Sequence, residues 1–136
     1  MKLLMLYVER FAWRTAQKAL ESAPEIDARE TVADALVGLI HAEPGDAEDP
    51  GRVEKKLIKN LKWAARKNES RRIVLHSFSH LAEEKADPEF ARELLEGARK
   101  RLQGAGYEAL QTPFGYFLDL DIAAPGRSTA RIFASF

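Results

Sequence analysis

From Lys2 to Val8 the chain is almost continuously apolar and edged by charge, the pattern of a buried strand. Phe11, Trp13 and Thr15 then alternate with Ala12 and Arg14, which fits a second strand. Ala16 to Ala23 fits a helix equally well until Ala23-Pro24 breaks it. Thr31 to His41 is ambiguous in the same way, although Val37-Gly38-Leu39-Ile40 leans to strand. The stretch from Glu43 to Arg52 is a loop. Inside it Asp49-Pro50 opens a helix, with Asp as N-cap and Pro at the first helical position. Val53, Leu57, Ile58, Leu61, Ala64 and Ala65 repeat at helical spacing. Ile73 to Phe78 is a strand, and Asp87-Pro88-Glu89 repeats the helix start. Phe90, Ala91, Leu94, Leu95, Ala98 and Leu102 form the second apolar stripe, which Gly104 ends.

Tyr107 to Thr112 and Gly115 to Ile122 are the next predicted strands. In the latter, Tyr116, Leu118, Leu120 and Ile122 share one face, and Phe117, Asp119 and Asp121 the other. Ala124-Pro125-Gly126-Arg127 is a turn, and Ser128 to Ser135 closes the chain as a strand. If Pro125 and Gly126 are the loop of a hairpin, Leu118 and Arg131 share a face of the two strands. The order predicts an α/β (α+β) fold: one mixed sheet with two amphipathic helices packed on it.

A length of 136 residues gives a single domain, 1–136, able to bury a core without staples. Cysteine is absent, which excludes disulfides and thiolate metal sites and is consistent with a cytoplasmic protein. No apolar run approaches the roughly 20 residues of a membrane span, and no small-residue cleavage site follows the N-terminal apolar run. Net charge is zero, yet nine basic residues and only two acidic ones lie between Arg52 and Arg72. That local excess of seven positive charges matches the footprint of a nucleic-acid backbone, or is a solvated helix face.

Candidate chemistry is sparse. His76 and His80 are four apart, but a strand ends between them and no acidic partner completes a metal set. No glycine-rich phosphate loop is present, so neither metal nor cofactor is expected. Asp119 and Asp121 belong to a solvated face, and Ser77 and Ser79 beside His80 lack an oxyanion-hole motif. One placement stands out. His76-Ser-Phe-Ser-His-Leu81 follows a strand and Pro113-Phe-Gly-Tyr-Phe117 begins another. If both open on one sheet edge, they frame a cleft whose titratable group is His80.

The same residues carry a resemblance. Leu36–Val53, Arg72–Pro88 and Pro113–Ile122 are similar to the archaeal threonyl-tRNA synthetase editing domain, in order and spacing, over nearly the whole chain. The PFGY corner and the F-x-H-L turn are its most specific parts. The resemblance implies a D-aminoacyl-tRNA deacylase-like fold, usually a homodimer, in which Phe11–Ala19 and Thr31–Ala42 are strands. It also implies hydrolysis of the ester of serine wrongly attached to threonine tRNA. That chemistry uses a ribose hydroxyl and a water, and needs no side-chain nucleophile. The aminoacyl-adenosine pocket would involve Ala42, Glu43, Ser77, Phe78, Ser79, Phe114, Tyr116 and Phe117, with His80 at the ester. Lys55, Lys59, Lys62 and Arg66 would meet tRNA phosphates.

The sequence also departs from the family. Tyr7 and Glu9 stand where the family has His and Asp. Phe117 replaces a Tyr, Leu118 a functionally important Lys, and Arg131 a Glu. The hairpin would let Arg131 supply across the strands the positive charge that Leu118 lacks, which gives the expected catalytic pair His80 and Arg131. Two readings stay open: a freestanding or excised editing domain, with a synthetase that lacks its own as a candidate partner, or a catalytically degenerate relative that binds an aminoacyl or nucleotide ligand or acts as an interaction module.

Overall fold

The computed structural model describes all residues, Met1–Phe136. One six-stranded mixed sheet carries two helices. Its elements are β1 (Lys2–Lys18), β2 (Arg29–His41), α1 (Pro50–Lys67), β3 (Arg72–Ser77), α2 (Pro88–Gly104), β4 (Glu108–Gln111), β5 (Tyr116–Ala123) and β6 (Arg131–Ser135). The strand order is β4-β3-β2-β1-β5, with β6 also on β1. β2, β3 and β4 are parallel and joined through the two helices, whereas β1 is antiparallel to β2, β5 and β6.

The two apolar stretches at the start of the chain form one strand of 17 residues. What divides them is a change of face. Leu3 and Met5 pack on the helix side, but Phe11 and Trp13 pack on the other side together with Val8. Glu9 and Asp34 drop out of the pairing between Val8↔Ala35 and Arg10↔Ala33, and Asp34 adopts a φ of 49°. β2 therefore changes face with β1: Leu36 and Ile40 pack under the helices, Val32 and Ala35 on the opposite side. The apolar alternation breaks where the strands coil, which is why it looks like two segments.

Both helices begin as expected. Asp49 accepts from the amide of Arg52, and Asp87 from those of Glu89 and Phe90. Their apolar stripes join the sheet in a core of 21 buried residues. Gly38 permits the close approach of α1, since a Cβ there would lie 2.8 Å from Leu61 Cδ2.

The expected hairpin between the last two strands does not form. β5 pairs with the second half of β1, from Lys18↔Tyr116 to Arg10↔Ala123, and β6 with the first half, from Leu6↔Arg131 to Lys2↔Ser135. Both run antiparallel to β1, so they follow one another along its edge and cannot pair with each other. The residues between them pass β1 where it changes face. They anchor on the end of α1, where Asn68 Nδ2 donates to Thr129 O (2.8 Å) and Arg127 Nη2 to Asn68 Oδ1 (3.2 Å). Ser128–Ala130 is a short 3-10 turn instead of strand.

The chain ends meet beside this core. The Met1 ammonium is buried and donates to Glu43 Oε1 (2.6 Å), Asp46 Oδ1 (2.9 Å) and Phe136 O (2.7 Å). That ammonium holds the Glu43 carboxyl below its ordinary value of 4.5. A depressed carboxyl adds stability above the unfolded value, which is lost as pH falls through the folded one. Glu43→Gln is therefore expected to lower the melting temperature near neutral pH, with the gap to wild type closing below about pH 4.5; thermal denaturation across pH checks this.

Candidate active site

The sheet edge where β2 and β3 end opens into a cavity of about 190 Å³. Its walls are the turn after β3 (Ser77, Phe78, Ser79, His80) and the corner before β5 (Pro113 to Phe117). Ala42, after β2, closes one side, and Ala86, Pro88 and Ala91, at the start of α2, another. The two motifs picked out in the sequence thus share one cleft.

The corner is stiff for a local reason. Gly115 has φ +84°, and a Cβ there would stand 3.0 Å from that of Ala23. Its carbonyl accepts from the amides of Ala19 (2.7 Å) and Leu20 (3.2 Å), which ties the corner to the end of β1. Tyr116 Oη donates to Pro24 O (2.6 Å) and accepts from the amide of Ile26 (2.8 Å). One aromatic of the motif is thereby spent on holding the loop between β1 and β2. The other, Phe117, is exposed and stacks toward His80, with ring centroids 6.4 Å apart and planes at 28°. β1 has a bulge between Thr15 and Gln17, opposite Leu118 and Phe117, and both of these neighbours line the cavity.

His80 sits on the opposite wall, exposed, with its ring edge-on to Phe78 at 4.8 Å. The turn that carries it is pinned from below by His41, which is fully buried. His41 Nδ1 accepts from the amide of Leu81 (3.0 Å), which leaves Nε2–H to donate to Glu84 O (2.7 Å). In the sequence His41 is a lone histidine at a strand end, and nothing there reveals that role.

Of the residues expected at the pocket, Ala42, Ser77, Phe78, Ser79, His80, Phe114, Tyr116 and Phe117 all line the cavity. Glu43 does not; its carboxylate holds the Met1 ammonium. Arg131 does not either, and its guanidinium donates to Pro125 O (2.8 Å). With β5 and β6 consecutive along β1, the route by which Arg131 would replace the missing lysine is absent. Tyr7 and Glu9 also lie outside the cavity wall. Asp119 and Asp121 pair with Arg14 (2.6 Å) and Arg10 (2.9 Å) on an exposed face, as a solvated face requires. Two further lining residues were given no site role from the sequence: His76, which opens the segment expected to frame the cleft, and Lys85, an exposed cation with no carboxylate partner. Their signal was only proximity to His80 in the chain.

Lys55, Lys59, Lys62 and Arg66 all lie on the outer side of α1, and none is paired with a carboxylate. Trp63 stands among them, 43% exposed, with Lys67 Nζ 5.7 Å from its ring. No three His, Asp or Glu side chains converge on a possible metal position, and no helix is long and apolar enough to cross a membrane.

Two motif-bearing turns thus meet over one cleft at the edge of a mixed sheet under two helices. The chain belongs to the archaea-specific editing domain family of threonyl-tRNA synthetase, whose model matches residues 1–136. It is 28% identical over 135 residues to the threonine–tRNA ligase of Thermococcus kodakarensis, which covers 97% of this chain and 22% of that protein. The same enzyme of Methanopyrus kandleri is 28% identical over 134 residues, 97% of this chain and 21% of that protein. The chain thus spans about a fifth of the length of these relatives. Among solved structures, the c-Myc DNA unwinding element binding protein has the same fold. Its TM-score is 0.68 at 11% identity, over 100% of this chain and 99% of that one. The mixed sheet under two helices is the architecture that the resemblance implied.

Gly115→Ala places a side chain in the left-handed region and against Ala23. It is expected to cost about 1–2 kcal/mol and lower the melting temperature by about 3–8 °C, measured by calorimetry.

Proposed function

We propose that this chain is an aminoacyl-tRNA editing module that hydrolyses the ester of a mischarged tRNA, of seryl type, in the cytoplasm. The observation that carries the reading is the convergence of the PFGY corner and the His80 turn on one cavity, in a chain matched end to end by the editing-domain family. The cavity suits an aminoacyl-adenosine end: aromatic rings of Phe78 and Phe117 for the base, main chain and serines for hydrogen bonds, and His80 to orient water or a ribose hydroxyl. The acceptor stem is held by phosphate contacts to Lys55, Lys59, Lys62 and Arg66. A synthetase without its own editing domain is the partner this activity serves.

A second copy of the chain covers the sheet face away from the helices. Leu120 and Phe133 are 39% and 56% exposed there, beside the half-buried Leu4, Leu6 and Ile122. Such a contiguous apolar face fits a homodimer.

One observation favours a catalytically degenerate binder: Leu118 lies in the cavity where the family resemblance places a lysine. A deacylation assay with a panel of charged tRNAs, including seryl- and D-aminoacyl-tRNAs, decides between the two. Hydrolysis of at least one is expected; tight binding without turnover of any would establish the binder. Charge reversal at Lys55, Lys59 and Lys62 is expected to weaken tRNA binding and to reduce the log–log salt slope by roughly one per lost contact. Unchanged affinity would return α1 to a merely solvated face. Phe133→Asp is expected to shift the protein from dimer to monomer in light scattering.

A further inference from the structure

The cavity holds one polar group that the proposed chemistry leaves unused. His76, the penultimate residue of β3, is only 5% exposed, yet it lines the cavity. Its Nδ1 lies 2.8 Å from Thr112 Oγ1, and Thr112 is itself 4% exposed. The Thr112 hydroxyl has no other partner. A buried hydroxyl has one proton to give, and Nδ1 is its only acceptor here. Oγ1–H therefore donates to Nδ1, and the ring proton sits on Nε2. Nε2 has no partner within the protein, but no fully buried side-chain nitrogen or oxygen lacks one. Nε2–H is thus the atom that meets the cavity. Phe11 and Phe78 flank the ring, with centroids 6.2 and 6.0 Å away.

Burial, reinforced by the charge of His80, presses the pKa of His76 down to about 4. The ring stays neutral near pH 7, so it is a poor base but a constant donor.

We propose that His76 is a fixed neutral hydrogen-bond donor for the carbonyl oxygen of the aminoacyl ester, and that Thr112 sets its tautomer. The inference rests on the editing reading and adds to it a group at the oxyanion. Water attacks the ester carbon, and the carbonyl electron pair moves to oxygen, where His76 Nε2–H holds it. The pair then returns, the bond to the ribose oxygen breaks, and that oxygen takes up the proton lost by the water. His76 neither gains nor loses a proton. The donor stands in the cavity where Leu118 offers none.

The test has two arms. In the first, nitrogen-15 NMR of wild type reads the imidazoles with and without 3′-serylamino-3′-deoxyadenosine, an amide analogue that is not hydrolysed. The expected result is a proton on His76 Nε2 in the free protein and a downfield shift of that proton on binding. A proton on Nδ1, a bound analogue with His76 unshifted, or an analogue that does not bind overturns the inference. In the second, single-turnover deacylation is compared across variants. His76→Leu is expected to lower the rate about 10²–10³-fold with analogue affinity nearly unchanged. His76→Gln, which keeps a donor, should recover part of that, and Thr112→Val should lose rate although residue 76 is intact. A His76→Leu protein as fast as wild type overturns the inference and leaves the editing reading standing. A wild type that hydrolyses no charged tRNA overturns the editing reading, and with it the role at the oxyanion, even if the analogue binds His76 as expected.

Discussion

β1 is the strand on which everything else is arranged. It runs 17 residues, pairs with β2 along one edge, and shares its other edge between β5 and β6. A strand that long twists far enough for its two halves to face different cores. The turnover at Glu9 and Asp34 achieves that: one half buries Leu3 and Met5 beneath the helices, the other buries Phe11 and Trp13 on the opposite face with Val8 and Val32. The division of the far edge into two strands follows, because one flat strand cannot track an edge that coils this much. The cleft then forms where the end of β1 meets the corner before β5. Its position depends on the length of β1 as much as on the motifs that line it.

Much of this was legible in the sequence. Both helices could be placed by an Asp-Pro start and a 3.6-residue stripe, and the structure caps them with those aspartates. The strand after α1 and the corner motif were equally clear. What the pattern could not reveal was how β5 relates to β6. Pro125-Gly126 is sound turn chemistry, and a hairpin is the ordinary outcome. Nothing local records that β1 presents two separate half-edges, one to each strand. The error therefore fell on Arg131, the residue whose role depended on that pairing. Glu43 failed differently: its neighbour in space is the chain's own ammonium, from the far end of the sequence. The wall residues were legible because motifs carry local geometry. The supporting histidines were not, because His41 and His76 act through partners 36 to 43 residues away.

The cleft is more apolar and more neutral than a hydrolytic site that works through charge. Leu20, Leu118 and Leu120 stand among its walls, and Lys85 is the only lysine or arginine there. Most of the cations in excess lie on α1, where Lys55, Lys59 and Arg66 are exposed and have no carboxylate partner. Under the proposed editing role such a separation would suit a polyanion: phosphates would be met in high dielectric, where charge attracts at long range, and the ester where hydrogen bonds are strongest.

The two histidines of the cleft divide along the same line. His80 is exposed, whereas His76 is enclosed by Phe11 and Phe78 and fixed by Thr112. Burial, and after it the charge of His80, lower the pKa of His76. Burial therefore keeps the inner ring neutral near pH 7, and its dipole constant. Were the proposed ester bound here, beginning neutral and becoming an anion only in passing, it would be better served by that fixed dipole than by a charge whose hydration must be surrendered first.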